Sequence, residues 1–203
     1  MLHRLLLPVL LVPLLACSST NAGNGDSDAG PAQSADAGLL DTTGGMDFTF
    51  SGAVGANTTR TVFQVGAING SFCMASGNGA ASKTCSFTGS VYANGCLTTL
   101  NVAFTGPLTA GTSFPFVADA PVPEGKSYLT YSEMCGSDTK AWRATAGSMS
   151  LDSVTPPAQG LTTGKVSYTV TGATMAPAHM GGGTAAGTFN AAGSSKDITY
   201  TGT

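Results

Sequence analysis

Apolar and polar residues alternate along most of this chain from Met46 onward, and a period of two admits strands and excludes sustained helices. Phe48 and Phe50 alternate with Asp47, Thr49 and Ser51; Leu100, Val102 and Phe104 alternate with Thr99, Asn101 and Ala103. The same pattern returns in Val166, Tyr168 and Val170, and in Ile198 and Tyr200. One apolar and one polar face per strand is the signature of half-buried antiparallel sheets. Gly and Pro interrupt the pattern about every ten residues, the spacing of a small all-β domain. Asn94-Gly95 suits a two-residue hairpin turn, whose central positions both need positive φ. The expected fold is all-β, an antiparallel β-sandwich over residues 46–203, with a small β-barrel as the alternative. A lipid-facing barrel is set aside, because aromatics make up only 7% of the chain. Such barrels carry aromatic girdles and typically end on an aromatic residue, whereas this chain ends in Gly202-Thr203.

The first residues carry an address. Arg4 precedes an apolar run from Leu5 to Leu15, and Ala16 and Cys17 close it. A charged start, a short apolar stretch and a small residue form a secretory signal, and the run is shorter than the roughly 20 residues that span a bilayer. Leu14-Leu15-Ala16-Cys17 resembles the lipobox of bacterial lipoproteins. That resemblance covers the signal alone. It implies removal of residues 1–16, diacylation of Cys17 by palmitate-type chains, and a membrane partnership through the lipid anchor. In that class an Asp after the Cys favours the inner membrane; Ser18 stands here, which implies the outer membrane of the cell envelope.

Residues 17–45 are dominated by Ser, Thr, Asn, Ala, Gly and Asp, with Leu39 and Leu40 as almost the only apolar bulk. Such a composition cannot bury enough surface to offset ordering entropy, so a flexible linker is expected. Its aspartates, Asp26, Asp28, Asp36 and Asp41, do not make an EF-hand loop, which closes on a glutamate. The remaining 46–203 forms one domain carrying seven acids and seven bases. Charged residues are 9% of the chain, against a usual quarter. With no basic stripe, nucleic acid is not an expected partner.

Setting Cys17 aside leaves Cys73, Cys85, Cys96 and Cys135, an even set suited to two disulfides in an oxidising compartment. Three connectivities exist. If 77–81 is a five-residue loop, Ser76 faces Ser82, and counting outward places Cys73 opposite Cys85. Cys96 then pairs with Cys135. The close Cys-x₂₋₄-Cys spacing of zinc sites is missing.

Catalytic signals are sparse. His179 is the one histidine beyond the signal, no Gly-x-Ser-x-Gly motif occurs, and no catalytic residue is assigned. Met175, His179 and Met180 share a short loop and are ligand types suited to copper, but packing methionines and an exposed histidine explain them without a metal. No metal or cofactor is expected. Glu133 and Asp138 flank Cys135-Gly136 and could serve a hydrolase if geometry brought them across a substrate; turn formation explains them equally. Tyr128, Tyr131 and Trp142 could stack on a sugar, or fill a core. The expected function is a non-enzymatic binding or structural module on an envelope lipoprotein. A carbohydrate or small-ligand binder and a Glu133/Asp138 hydrolase are the alternatives, with a glycan or a protein as partner.

Overall fold

A computed structural model describes residues 44–52, 59–65, 71–76, 81–179 and 185–202. Cys17, expected to carry the lipid anchor, lies outside the described residues, as do Met180 and most of the expected linker. Ten strands run in chain order: β1 (Gly45–Gly52), β2 (Thr59–Val65), β3 (Ser71–Ala75), β4 (Ser82–Ala93), β5 (Cys96–Pro107), β6 (Ser113–Pro115), β7 (Lys126–Cys135), β8 (Asp138–Thr155), β9 (Thr163–Ala178) and β10 (Phe189–Gly202). Among the described residues there is no helix, and every ladder but one is antiparallel, as the alternation predicts.

The sheet does not split into two layers. It closes on itself through eight strands, β1-β2-β4-β5-β7-β8-β9-β10, and β10 returns to β1 along Met46↔Ser195 to Gly52↔Phe189. The sandwich expectation is therefore corrected to the barrel alternative. Period-two patterning is common to both folds, and what separates them is the pairing of the first strand with the last. Two short strands act as wedges. β3 sits between β4 and β10, antiparallel to one and parallel to the other at Thr201↔Phe72 and Gly202↔Cys73. β6 pairs with β8 and reaches β7 through Val117 N–H donating to the Ser127 carbonyl at 2.8 Å.

Bending long strands into a ring needs local irregularity. The β8–β9 ladder shifts register near Ala146 and near Leu151, and β10 shifts near Gly193 and again after Ser195. Bulges of this kind raise local twist and curvature. At Gly147 φ is +96° and an added Cβ would sit 2.5 Å from the Gly172 carbonyl oxygen. At Gly193 an added Cβ would collide with the Asp47 carbonyl oxygen and with the Phe48 ring. Only glycine lets β10 approach β1 so closely.

The closed interior is a packed core. Phe50 on β1 and Tyr131 on β7 come from opposite strands of the ring, yet their rings lie 4.8 Å apart. Phe87 on β4 and Tyr168 on β9 are likewise opposed and meet at 5.6 Å. Phe104 stacks on Phe114 of the β6 wedge at 4.7 Å. These rings, with Phe48, Phe63, Trp142 and Phe189, are buried in one cluster. Outward positions between the Tyr128 and Tyr92 rows are instead Ser, Thr and Asn on β4, β5 and β7, unlike the continuous apolar band of lipid-facing barrels.

Asn94 and Gly95 have φ of 52° and 78°, as a type I′ turn requires, and Ala93↔Cys96 closes the hairpin around them. Gly136, with φ of 62°, opens the β7–β8 turn. Disulfides join Cys73 to Cys85 and Cys96 to Cys135, each pair directly opposite in register with Cα atoms 4.1 and 4.3 Å apart. The Ser76 N–H donates to the Ser82 carbonyl at 3.0 Å, the contact from which the first pairing is counted. The two bonds differ in access: Cys73 and Cys85 are buried in the core, whereas Cys135 is exposed at the hairpin end. Thiol–disulfide exchange follows access. Mild reductant should therefore open Cys96–Cys135 first, with Cys73–Cys85 persisting until the barrel unfolds. Mass mapping of alkylated peptides after timed reduction checks this, and simultaneous opening would contradict it.

Tyr168 brings its hydroxyl into the core without a hydrogen-bond partner. Burial pushes its ionisation well above the ordinary tyrosine range. Below pH of about 10 the phenol is neutral in both states. Above that, the unfolded chain releases the proton while the folded one holds it, so stability falls as pH rises. Tyr168→Phe should leave stability at pH 7 within roughly 1 kcal/mol of the parent, or raise it, since it removes an unpaired buried group. It should also reduce the loss above pH 10 by up to about 1.4 kcal/mol per pH unit. Urea unfolding from pH 7 to 11.5 reads both effects, and an unchanged alkaline slope would refute the assignment.

Candidate functional site

Alternation fixes which side chains can meet a ligand. Along β7, Ser127, Leu129 and Tyr131 turn inward, so Tyr128 turns outward. Tyr131 stands opposite Trp142 in the β7–β8 register, and the two rings pack 5.8 Å apart inside the barrel. Trp142 is 3% exposed, and its Nε1–H donates to the Gly187 carbonyl at 3.3 Å. The three aromatics singled out in the sequence therefore form no common platform. Tyr131 and Trp142 belong to the core, and Tyr128 alone faces solvent. The signal was present: residues 128 and 131 are three apart, which puts them on opposite faces of any strand.

Tyr128 lines a groove of about 670 Å³ on the outer wall. The wall is built in registered rows. Ser86, Ala103 and Tyr128 lie side by side on β4, β5 and β7, as do Thr84, Thr105 and Lys126 one row below, and Thr88, Asn101 and Thr130 one row above. The wedge strand β3 adds Met74 beside Thr84, and the segment Ala120-Pro121-Val122, with its cis peptide bond, forms the opposite bank. Met74, 55% exposed, and the Tyr128 ring give the groove apolar walls; Asn101, Thr84 and Thr105 give it a polar floor. None of its lining side chains is charged.

Hydrogen bonds hold that floor. Asn101 Nδ2 donates to Ser86 Oγ at 2.9 Å and to Thr88 Oγ1 at 2.7 Å, so its amide oxygen is the group left for a ligand. Thr84 and Thr105 hydroxyls meet at 3.3 Å. Burial raises the ionisation of Tyr128, opposed by Arg143 and reinforced by Asp119; the phenol thus stays a neutral donor. Arg143 itself is engaged by Asp119 at 2.6 Å.

The other residues marked in the sequence lie elsewhere. Glu133 accepts a hydrogen bond from the Tyr131 hydroxyl at 2.7 Å, and Asp138 sits beyond the Gly136-Ser137 turn, exposed and 3.5 Å from Lys140 Nζ. Neither lines the groove. Met175 is fully buried in the core while His179 is exposed, so the copper trio is not assembled by these two; Met180 is outside the described residues. Sequence reading passed over Asn101, Thr84 and Met74 as groove residues. Their polar-face positions were visible, but the placement of β3 beside β4 is a tertiary fact. Compared with known protein families, curated proteins and solved structures, the chain matches none.

Proposed function

We propose that this chain is an envelope lipoprotein, anchored through acyl chains on Cys17, whose barrel is a non-enzymatic binding module for a neutral carbohydrate or small polar ligand. The observation that carries the reading is the groove at Tyr128. It joins an outward aromatic ring to an amide and hydroxyl floor and carries no charged group. An aromatic face with a few fixed polar groups is the usual composition of a small-molecule site, and hydroxyl-rich neutral ligands are the class that uses both. The separate engagements of Glu133 and Asp138, away from the groove, favour binding over hydrolysis. The lipobox resemblance supports the anchor, since several acyl chains on one Cys hold stably at about 0.8 kcal/mol per buried CH₂.

A crossed pair of substitutions tests both halves. In the full-length protein expressed in a bacterial envelope, Cys17→Ser should move the chain from the membrane to the soluble fraction and leave binding to an immobilised panel of neutral glycans intact. Tyr128→Ala should do the opposite, with binding reduced at least tenfold. Membrane retention of Cys17→Ser would refute the anchor, and unchanged glycan retention by Tyr128→Ala would refute the site.

A further inference from the structure

The groove is one end of a longer surface. Above it, the outward rows of β4, β5 and β7 continue without a charged side chain to Tyr92, Leu97 and Met134, which stand side by side in register. Tyr92 is 72% exposed and Met134 45%. Leu97 between them is half-buried, so the two exposed side chains and the leucine form one apolar step at the adjacent hairpin ends, of the kind that marks binding surfaces when contiguous. From the Tyr128 row to the Tyr92 row is six residues, about 20 Å at strand rise.

The chemistry between the two ends is uniform. Ser90 and Thr99 hydroxyls meet at 3.3 Å, and Asn101 ties Ser86 to Thr88. These contacts preorganise a strip of hydroxyls and one amide, which lowers the ordering cost of binding. β5 is paired along both edges here, to β4 and to β7, so the strip offers side chains and no free backbone ladder. A peptide adding itself as a strand finds no edge. A nucleic acid finds no cation on the three strands' outward rows from Tyr128 to Tyr92.

We infer that the wall from Tyr128 to Tyr92 is one extended site for a linear, uncharged glycan, with sugar rings seated on the tyrosine at each end and their hydroxyls on the Ser/Thr/Asn strip between. The inference rests on the carbohydrate reading of the groove and extends it from a single pocket to a polymer track. Stacking on an aromatic contributes at each end, and the ends act together only on a ligand long enough to reach both.

Calorimetry of the full chain with neutral oligosaccharides of two to six rings tests this, using β-1,4-glucose, α-1,4-glucose and β-1,4-N-acetylglucosamine series. For the series that binds, affinity should rise at least tenfold from two rings to six. Tyr92→Ala, at a position 72% exposed, should erase that gain. Tyr128→Ala should weaken binding at both lengths. Length-independent binding, or a gain that survives Tyr92→Ala, would overturn the extended track while leaving the groove reading standing. Absence of binding in all three series would overturn the groove reading and the track with it.

Discussion

The pairing of β1 with β10 closes the ring, and the rest of the structure depends on it. Seven registered pairs join the first described strand to the last. Without them β1 and β10 would be open edges, available to any other strand. Closure places tight demands at one point, where Gly193 passes within contact of Asp47 and Phe48. The gap that remains between β4 and β10 beyond β1 and β2 is filled by β3, a five-residue strand. A strand so short holds poorly by its ladder alone, and the Cys73–Cys85 bond fixes it to β4. A cross-link of this kind stabilises chiefly by restricting the unfolded chain, by roughly 2–4 kcal/mol.

Closure also decides where function can reside. With eight strands the interior is just wide enough for side chains to fill, and here large rings from opposite strands meet across it, Phe50 on Tyr131 and Phe87 on Tyr168. At those levels the barrel has no lumen to offer. The polar side chains open to solvent lie on the outer wall, where β4, β5 and β7 present hydroxyls, Asn101 and two outward tyrosines. β3 contributes twice, since the strand that seals the ring also supplies Met74 to the proposed ligand groove.

Local physics was readable from the residues. The strands follow from alternation, the Asn94-Gly95 turn from its need for positive φ, and the Cys73–Cys85 pair from counting outward from Ser76 and Ser82. Closure was not readable, because a sandwich strand and a barrel strand carry the same pattern and the deciding contact joins residues about 145 positions apart, a long-range pairing that no local signal encodes. The aromatic trio failed for a different reason. Tyr131 and Trp142 were read as neighbours of Tyr128 in sequence, but a strand separates adjacent faces, and the β7–β8 register put Tyr131 and Trp142 together inside. The groove itself combines four strands and the 120–122 segment, and such a constellation exists only after folding.

In the proposed function, ligand meets the outer wall and not the barrel interior. This is tested most directly by titrating the isotopically labelled protein with a neutral linear oligosaccharide and following each backbone amide and the Trp142 indole by NMR. The expected result is a contiguous set of shifts on outward positions, Ser86, Thr88, Asn101, Tyr128 and onward to Tyr92, with the Trp142 indole unmoved. Shifts centred instead on Tyr131, Glu133 and Trp142 would place the ligand at the barrel end and rule out the outer-wall site.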